Sequence, residues 1–213
     1  HAGSSPRLLV TTDAPRRIVD HYHGWHQQPD DPPGTQRGAS EPQRRVLQLL
    51  RDAPPGSTTI IGYGGAAGGG KSNLLANLPY KIALEKPGSY HFVGRQNMVH
   101  LKATTLLEFD ENLDPRLQVK KYDTSPVYRD VRTDDSVPWS RVYFRGMEDW
   151  LSLGSTAYAT AHVEEAQETQ ERGFLQLLTR MRHPSVQKWA VVLGFNPFPS
   201  WPVDWFLHNE LPP

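Results

Sequence analysis

The run Gly65-Ala66-Ala67-Gly68-Gly69-Gly70-Lys71-Ser72 fits the pattern G-x-x-x-x-G-K-[ST]. Its glycines let the backbone wrap with N–H groups pointing inward, which makes a cage for phosphate oxygens. A helix beginning at Lys71 would add about half a positive charge at its N-terminus. Lys71 is then placed to reach β- and γ-phosphates, and the Ser72 hydroxyl to ligate Mg²⁺. Residues Gly65 to Asn73 are expected to bind a nucleoside triphosphate.

Phosphoryl transfer to water needs carboxylates as well. One must hold the metal and a second must polarise the attacking water. Glu164-Glu165 follows Tyr158-Ala159-Thr160-Ala161-His162-Val163 and is the best candidate pair. Glu164 is expected to share Mg²⁺ with Ser72, and Glu165 to act on the water. The plainer alternative is an exposed acidic start to a helix over Gln167–Met181, where Glu also suits the helix dipole. Paired acids favour ATPases that carry their own base, and the guanine signature N-K-x-D is absent, so ATP and Mg²⁺ are the expected ligands. His21, His23 and His26 could hold a metal, but no carboxylate pattern accompanies them, and a polar surface turn beside Tyr22 and Trp25 is the stronger reading.

These residues need strands and helices to bring them together. Val46, Leu47, Leu49 and Leu50 are spaced for an amphipathic helix beginning near Pro42, stopped by Pro54-Pro55-Gly56. Thr58–Ile61 reads as a buried strand entering the glycine run. A helix follows from Lys71, with Pro79 expected to kink or break it. Further strands are expected at Tyr90–Gly94, Leu117–Tyr122, Arg141–Phe144, Ser155–Val163 and Trp189–Leu193. Further helices are expected at Met98–Phe109, Glu168–Met181 and Asp204–Asn209. Strands alternating with helices predict an α/β fold, a P-loop NTPase with a mainly parallel central sheet flanked by helices. The paired acids put it in the ASCE, RecA-like class.

The composition agrees. In 213 residues, Lys+Arg and Asp+Glu are 23 each, so a strongly basic coat that would grip nucleic acid by charge alone is excluded. There is no cysteine, which excludes disulfides, thiolate metal sites and cysteine nucleophiles. No apolar run approaches the roughly 20 residues of a membrane-spanning helix. Residues 1–40 read as a tag remnant, His1 to Ser5, and an irregular proline-rich arm with one short helix near Arg16–His23. The ATPase domain is expected over residues 41–213.

Four stretches, in order, resemble the ATPase domain of the large terminase subunit, the DNA-packaging motor of tailed bacteriophages. Glu41-Pro42-Gln43-Arg44-Arg45-Val46-Leu47 resembles the upstream glutamine motif, and Gly64 to Ser72 the Walker A stretch. Ser140 to Gly146, followed by a loop and Val163-Glu164-Glu165-Ala166-Gln167-Glu168, resembles the approach to Walker B. Leu193-Gly194-Phe195-Asn196-Pro197 resembles the coupling motif. The chain departs from the family in having Ala66 and Ala67 where many members carry Arg, and no Arg between Glu148 and Thr156.

The resemblance implies roles. Gln43 would contact adenine, and Asn196 would sense the γ-phosphate and relay its loss. Arg145 is the first candidate for an arginine supplied to a neighbour's site, with Arg141, Arg180 and Arg182 behind it. The implied partners are double-stranded DNA, the portal protein and the small terminase subunit, with self-association into a ring on the procapsid and a monomer in isolation. The implied place is the host bacterial cytoplasm, with no membrane. The family's full protein also carries a nuclease domain, and these residues are read as the motor domain alone. The alternatives are a helicase- or repair-type P-loop ATPase, and a nucleotide-binding scaffold with negligible turnover.

Overall fold

The computed structural model describes residues 7–10, 39–65 and 70–208. The histidine cluster and the short helix expected near Arg16–His23 lie outside the described residues. So do Ala66, Ala67, Gly68 and Gly69 of the glycine run, and Asn209.

Apolar residues at successive positions build the centre of the sheet. In β2 (Thr58–Gly64), Ile60 packs with Val191, Phe195 and Phe206 on one face, while Ile61 packs with Val46, Leu74, Leu75 and Leu78 on the other. In β8 (Trp189–Phe195), Val191 and Val192 divide in the same way. Side chains alternate across a strand, so a run that is apolar at every position must be covered on both faces. Helix α1 (Glu41–Asp52) and helix α2 (Lys71–Glu85) cover one face. The other is covered by α5 (Glu171–Leu178), α6 (Trp201–Val203) and the π-helical turn Asp204–His208.

The remaining elements are β1 (Arg7–Val10), β3 (Tyr90–Arg95), β4 (Gln118–Tyr122), β5 (Val127–Arg132), β6 (Ser140–Gly146) and β7 (Thr160–Val163), with helices α3 (Met98–Leu101) and α4 (Leu107–Asn112). The eight strands lie in the order β1-β2-β8-β7-β3-β6-β5-β4. From β1 to β6 every pairing is parallel, and β6-β5-β4 is an antiparallel extension. The parallel register runs Thr58↔Trp189 to Gly64↔Phe195 and Thr160↔Ala190 to Val163↔Leu193. One strand, β8, therefore lies between the strand that enters the glycine run and the strand that ends in Glu164-Glu165. This is the additional strand of the expected class.

Several expectations need correction. Residues 1–40 are not irregular throughout, because Arg7–Val10 pairs in parallel with β2 and belongs to the sheet. Pro79 does not break α2, which runs from Lys71 to Glu85. Leu78 and Tyr80 on either side of it are buried in two different core clusters, and that packing outweighs the roughly 3 kcal/mol cost of an interior proline. The strand expected over Ser155–Val163 is only Thr160–Val163, and the helix after it is shortened to α5. Strand β5 is an addition to the expected set; its sequence, Val-Tyr-Arg-Asp-Val-Arg, alternates apolar and charged residues too weakly to stand out. Among the described residues no helix is long and apolar enough to cross a membrane.

Candidate active site

Parallel strands gather their C-terminal ends along one edge of a sheet, and this edge carries the site. Lys71 opens α2, is 9% exposed, and donates from Nζ to the Gly65 carbonyl at 2.7 Å. Gly70, which precedes it, has φ +71°, a left-handed conformation that glycine adopts without penalty. Ser72 Oγ donates to Glu164 Oε1 at 2.8 Å, across 92 positions of sequence. The two residues expected to share Mg²⁺ are thus brought within hydrogen-bond distance of each other. A hydroxyl and a carboxylate oxygen are the hard donors a magnesium ion takes, and it ordinarily completes its shell with water and phosphate oxygens. The residues present fit that ion. Among the described residues no group of three or more His, Cys, Asp or Glu gathers as another metal site.

Glu165 has φ 48° and ψ 51°, the only non-glycine positive φ among the described residues. A left-handed glutamate persists only where its surroundings hold it. Here Asn196 Nδ2 donates to Glu165 Oε2 at 2.8 Å, and Gln167 Nε2 donates to the same oxygen. Gln167 Oε1 in turn accepts from the Asn196 backbone N–H at 3.1 Å. Among the described residues Glu165 Oε1 has no hydrogen-bond partner. One oxygen is therefore pinned by two amides, and the other is without a partner among the described residues. Because β8 is the strand beside β7, Asn196 reaches Glu165 from the exit of its own strand.

Gln43 is brought to the same edge and is buried. Its Nε2 donates to the Gly70 carbonyl at 2.9 Å and lies 3.4 Å from Asn73 Oδ1, while its Oε1 accepts from the Ser40 N–H at 2.8 Å. Its amide thus links the start of α1 to the end of the glycine run. Asn73 Nδ2 donates to Glu108 Oε1 at 2.9 Å. Burial raises the Glu108 pKa, opposed by the Asn73 hydrogen bond and reinforced by the nearby Glu164 and Glu111 charges.

Arg145 is not brought into this cluster. It lies at the C-terminal end of β6, on the same edge of the sheet, with β3 between it and β7. Its guanidinium donates to the Ser152 and Leu153 carbonyls at 2.8 and 3.0 Å. Arg141 lies at the opposite end of β6, paired with Asp130 at 2.6 and 2.9 Å. Arg180 and Arg182 follow α5, and Arg180 Nε is buried without a partner.

Sequence reasoning missed four residues that touch the expected ones. Gln167 completes the hold on Glu165, and Glu108 holds Asn73. Thr104 lies in a π-helical turn, Lys102–Leu106, inserted between α3 and α4. Its hydroxyl is 2.8 Å from Glu164 Oε2 and 2.9 Å from the His100 carbonyl. Arg95, the last residue of β3, meets Glu168 and Glu164. Only Arg95 left a signal in the sequence: a lone arginine ending an apolar strand, as Arg145 ends another.

A cavity of about 640 Å³ opens at the other end of the sheet, lined by Leu50, Arg51, Lys81, Ile82, Lys86 and Trp189 among others. It is remote from these residues and plays no part in them.

The family model described as phage terminase large subunit matches residues 57–209. The chain is similar in fold to the large terminase of a thermophilic bacteriophage, with TM-score 0.59 and 18% identity over 80% of this chain. That terminase has also been solved with ADP and with ATP-γ-S. The chain spans 41% of the length of that terminase. It is similar to the ATPase domain of the Thermus phage P74-26 large terminase, with TM-score 0.55 and 13% identity, covering 76% of this chain and 68% of that one. It is also similar to the N-terminal domain of the bacteriophage phi29 DNA packaging ATPase, with TM-score 0.55 and 13% identity, covering 82% and 88%. No curated protein sequence matches the chain.

Proposed function

This chain belongs to the phage terminase large subunit family, and from that premise we propose that it is the ATP-hydrolysing motor domain that powers packaging of double-stranded viral DNA into a procapsid. The observation that carries the reading is the Glu165 carboxylate, with Oε2 held by Asn196 and Gln167 and Oε1 without a partner among the described residues. A carboxylate held in that way is oriented toward one water and ready to accept its proton. A scaffold without turnover has no need of a left-handed glutamate.

Lys71 Nζ exchanges the Gly65 carbonyl for the triphosphate and offsets charge on the transferring phosphoryl group. Backbone N–H groups of Gly65 to Ser72 orient the phosphates. Ser72 and Glu164 would hold Mg²⁺, which would supply further neutralisation of the phosphate oxygens. Glu165 Oε1 orients the attacking water and takes its proton. Asn196 keeps Glu165 in place and, through β8, connects the state of the γ-phosphate to the rest of the fold. Gln43 holds the base side of the site. Arg145 serves a neighbouring subunit after releasing the Ser152 and Leu153 carbonyls. The partners in this reading are double-stranded DNA, the portal protein, the small terminase subunit and further copies of the chain in a ring.

The test is phosphate release from ATP with and without DNA. Lys71→Ala should abolish release and weaken nucleotide binding. Glu165→Gln should keep binding and stop turnover, since Gln preserves shape and loses the basic oxygen. Parent-rate hydrolysis by Lys71→Ala overturns the site; undiminished turnover by Glu165→Gln overturns the assignment of the base.

A further inference from the structure

Glu164 has two carboxylate oxygens with different surroundings. Oε1 faces Ser72 at 2.8 Å. Oε2 faces Thr104 Oγ1 at 2.8 Å and Arg95 Nη1 at 3.7 Å. Thr104 stands on the π-helical turn and Arg95 ends β3. Three elements therefore fix one carboxylate, which belongs to a residue only 3% exposed.

The Arg95 guanidinium is planar, and its donors are already divided. Nε and Nη2 donate to the two oxygens of Glu168, each at 3.2 Å. That fork sets the plane and turns Nη1 toward Glu164. Glu164 and Glu168 would repel one another, and Arg95 is a cation that faces both.

We propose that Arg95, oriented by Glu168, and Thr104 are positioning residues that hold the Glu164 carboxylate with Oε1 toward Ser72, so that the pair is ready for a divalent cation. This inference rests on the ATPase reading of the same site. The physical reason is preorganisation: a carboxylate free to rotate must be ordered when the ion arrives, and that cost is subtracted from affinity. Outer partners of metal-holding side chains are commonly worth about 10–100-fold in metal affinity. Thr104 alone, a neutral hydroxyl sharing its proton with the His100 carbonyl, should be worth less than Arg95.

The experiment is calorimetry of ADP binding to the full chain, with and without Mg²⁺, alongside kcat and KM for phosphate release. The quantity read is the gain in ADP affinity that Mg²⁺ produces. Arg95→Gln should cut that gain about tenfold and leave metal-free affinity within about twofold. Glu168→Gln and Thr104→Val should cut it in the same direction by about threefold. Arg95→Lys should restore part of it, because an ammonium keeps the charge but cannot reach Glu168 and Glu164 at once in a fixed plane. In kinetics the Mg²⁺ concentration for half-maximal rate should rise while kcat at saturating Mg²⁺ largely returns.

Glu164→Gln removes the group on which Arg95 acts. Adding Arg95→Gln to it should then cause no further loss of the gain. A full Mg²⁺-dependent gain in Arg95→Gln, or losses that add in the double variant, overturns the proposal. A fall in metal-free affinity equal to the fall with Mg²⁺ also overturns it, since that marks general loosening. If the parent chain binds no nucleotide, the ATPase reading fails first; if the parent binds and turns over while the Arg95 variants match it, this inference alone fails.

Discussion

Acidification should destabilise this protein before its carboxylates are protonated. His91 and His162 lie on neighbouring strands, and both residues are 0% exposed. His91 has a hydroxyl on each nitrogen, Ser89 Oγ and Thr160 Oγ1, both at 2.7 Å. His162 Nε2 is 2.8 Å from Thr160 Oγ1, and its Nδ1 is buried without a partner. Burial, with the neighbouring His162 and His183 adding to it, lowers the His91 pKa well below 6.5, and burial brings His162 down to about 3. Both rings are neutral when folded, whereas the unfolded chain binds protons as pH falls through 6.5. The stability they permit is therefore complete above pH 6.5 and is lost as pH falls toward the folded values. At pH 5 the neutral His162 ring alone costs about 2 kcal/mol, and His91 acts in the same direction. Against a typical total of about 5–15 kcal/mol this is a large fraction. Urea unfolding followed by circular dichroism at constant ionic strength, from pH 7.5 to 5.0, reads it directly. The stability should fall by at least about 1 kcal/mol between pH 6 and 5, and by less in His162→Gln, whatever the substitution costs at pH 7.5. A urea midpoint that does not move over this range, or an unchanged slope in His162→Gln, would refute the argument.

Three further outcomes follow from contacts described above. Asn196→Ala removes one of two amides from Glu165 Oε2 and should lower kcat about 10- to 100-fold while calorimetry shows ADP binding retained; equal losses of affinity and kcat would contradict it. Gly70→Ala should weaken ATP binding at least about tenfold and cost about 1–2 kcal/mol in thermal unfolding, because the position has φ +71° and a Cβ there would meet Gln43 Nε2 at 2.9 Å; unchanged affinity would show that the loop tolerates a side chain. Gly62→Ala should cost about 1–3 kcal/mol without changing nucleotide affinity of the folded fraction, because its Cβ would stand 2.5 Å from the Phe206 ring; a thermal midpoint equal to the parent's would show that the ring gives way freely.

The parts of the site that sequence made legible are those where chemistry dictates residue type at fixed spacing. The glycine run needs Lys71 and Ser72 directly after it, and an acid that serves them must end a strand, so the closeness of Ser72 and Glu164 was expected from spacing. Legibility failed where a contact depends on which strands become neighbours. Nothing local to Arg95 or Thr104 says that β3 lies beside β7, or that a π-helical turn rotates one threonine toward Glu164. Gln167 was visible as a letter but not as a clamp, because its two bonds depend on the left-handed backbone of Glu165. In the fold, continuous apolar runs such as Ile60-Ile61 and Val191-Val192 announced central strands. Strand β5 escaped because Arg129 and Asp130, which look like loop residues, are neutralised inside the sheet by Asp110 and Arg141. The length of β7 was overestimated because Ser155–Ala159 continues its composition, while Tyr158 pairs with Met181 beyond α5 instead of extending the β7 ladder.

The indoles beneath this site give the molecule an optical voice. Trp201 stacks on Phe174 with ring centroids 4.8 Å apart and donates to the Thr169 carbonyl at 2.9 Å; Trp205 meets the same Phe174 edge-on and donates to Glu171 at 2.8 Å. These two contacts tie the chain leaving β8 to the chain leaving β7. Indole emission shifts in wavelength and yield when a hydrogen bond or a stacked ring is altered. Among the chain's six tryptophans, this pair stands at the junction of the two segments that carry Asn196 and Glu165, and in a chain whose other four tryptophans are replaced by Phe a change in the mutual angle of those segments would be recorded without any attached label.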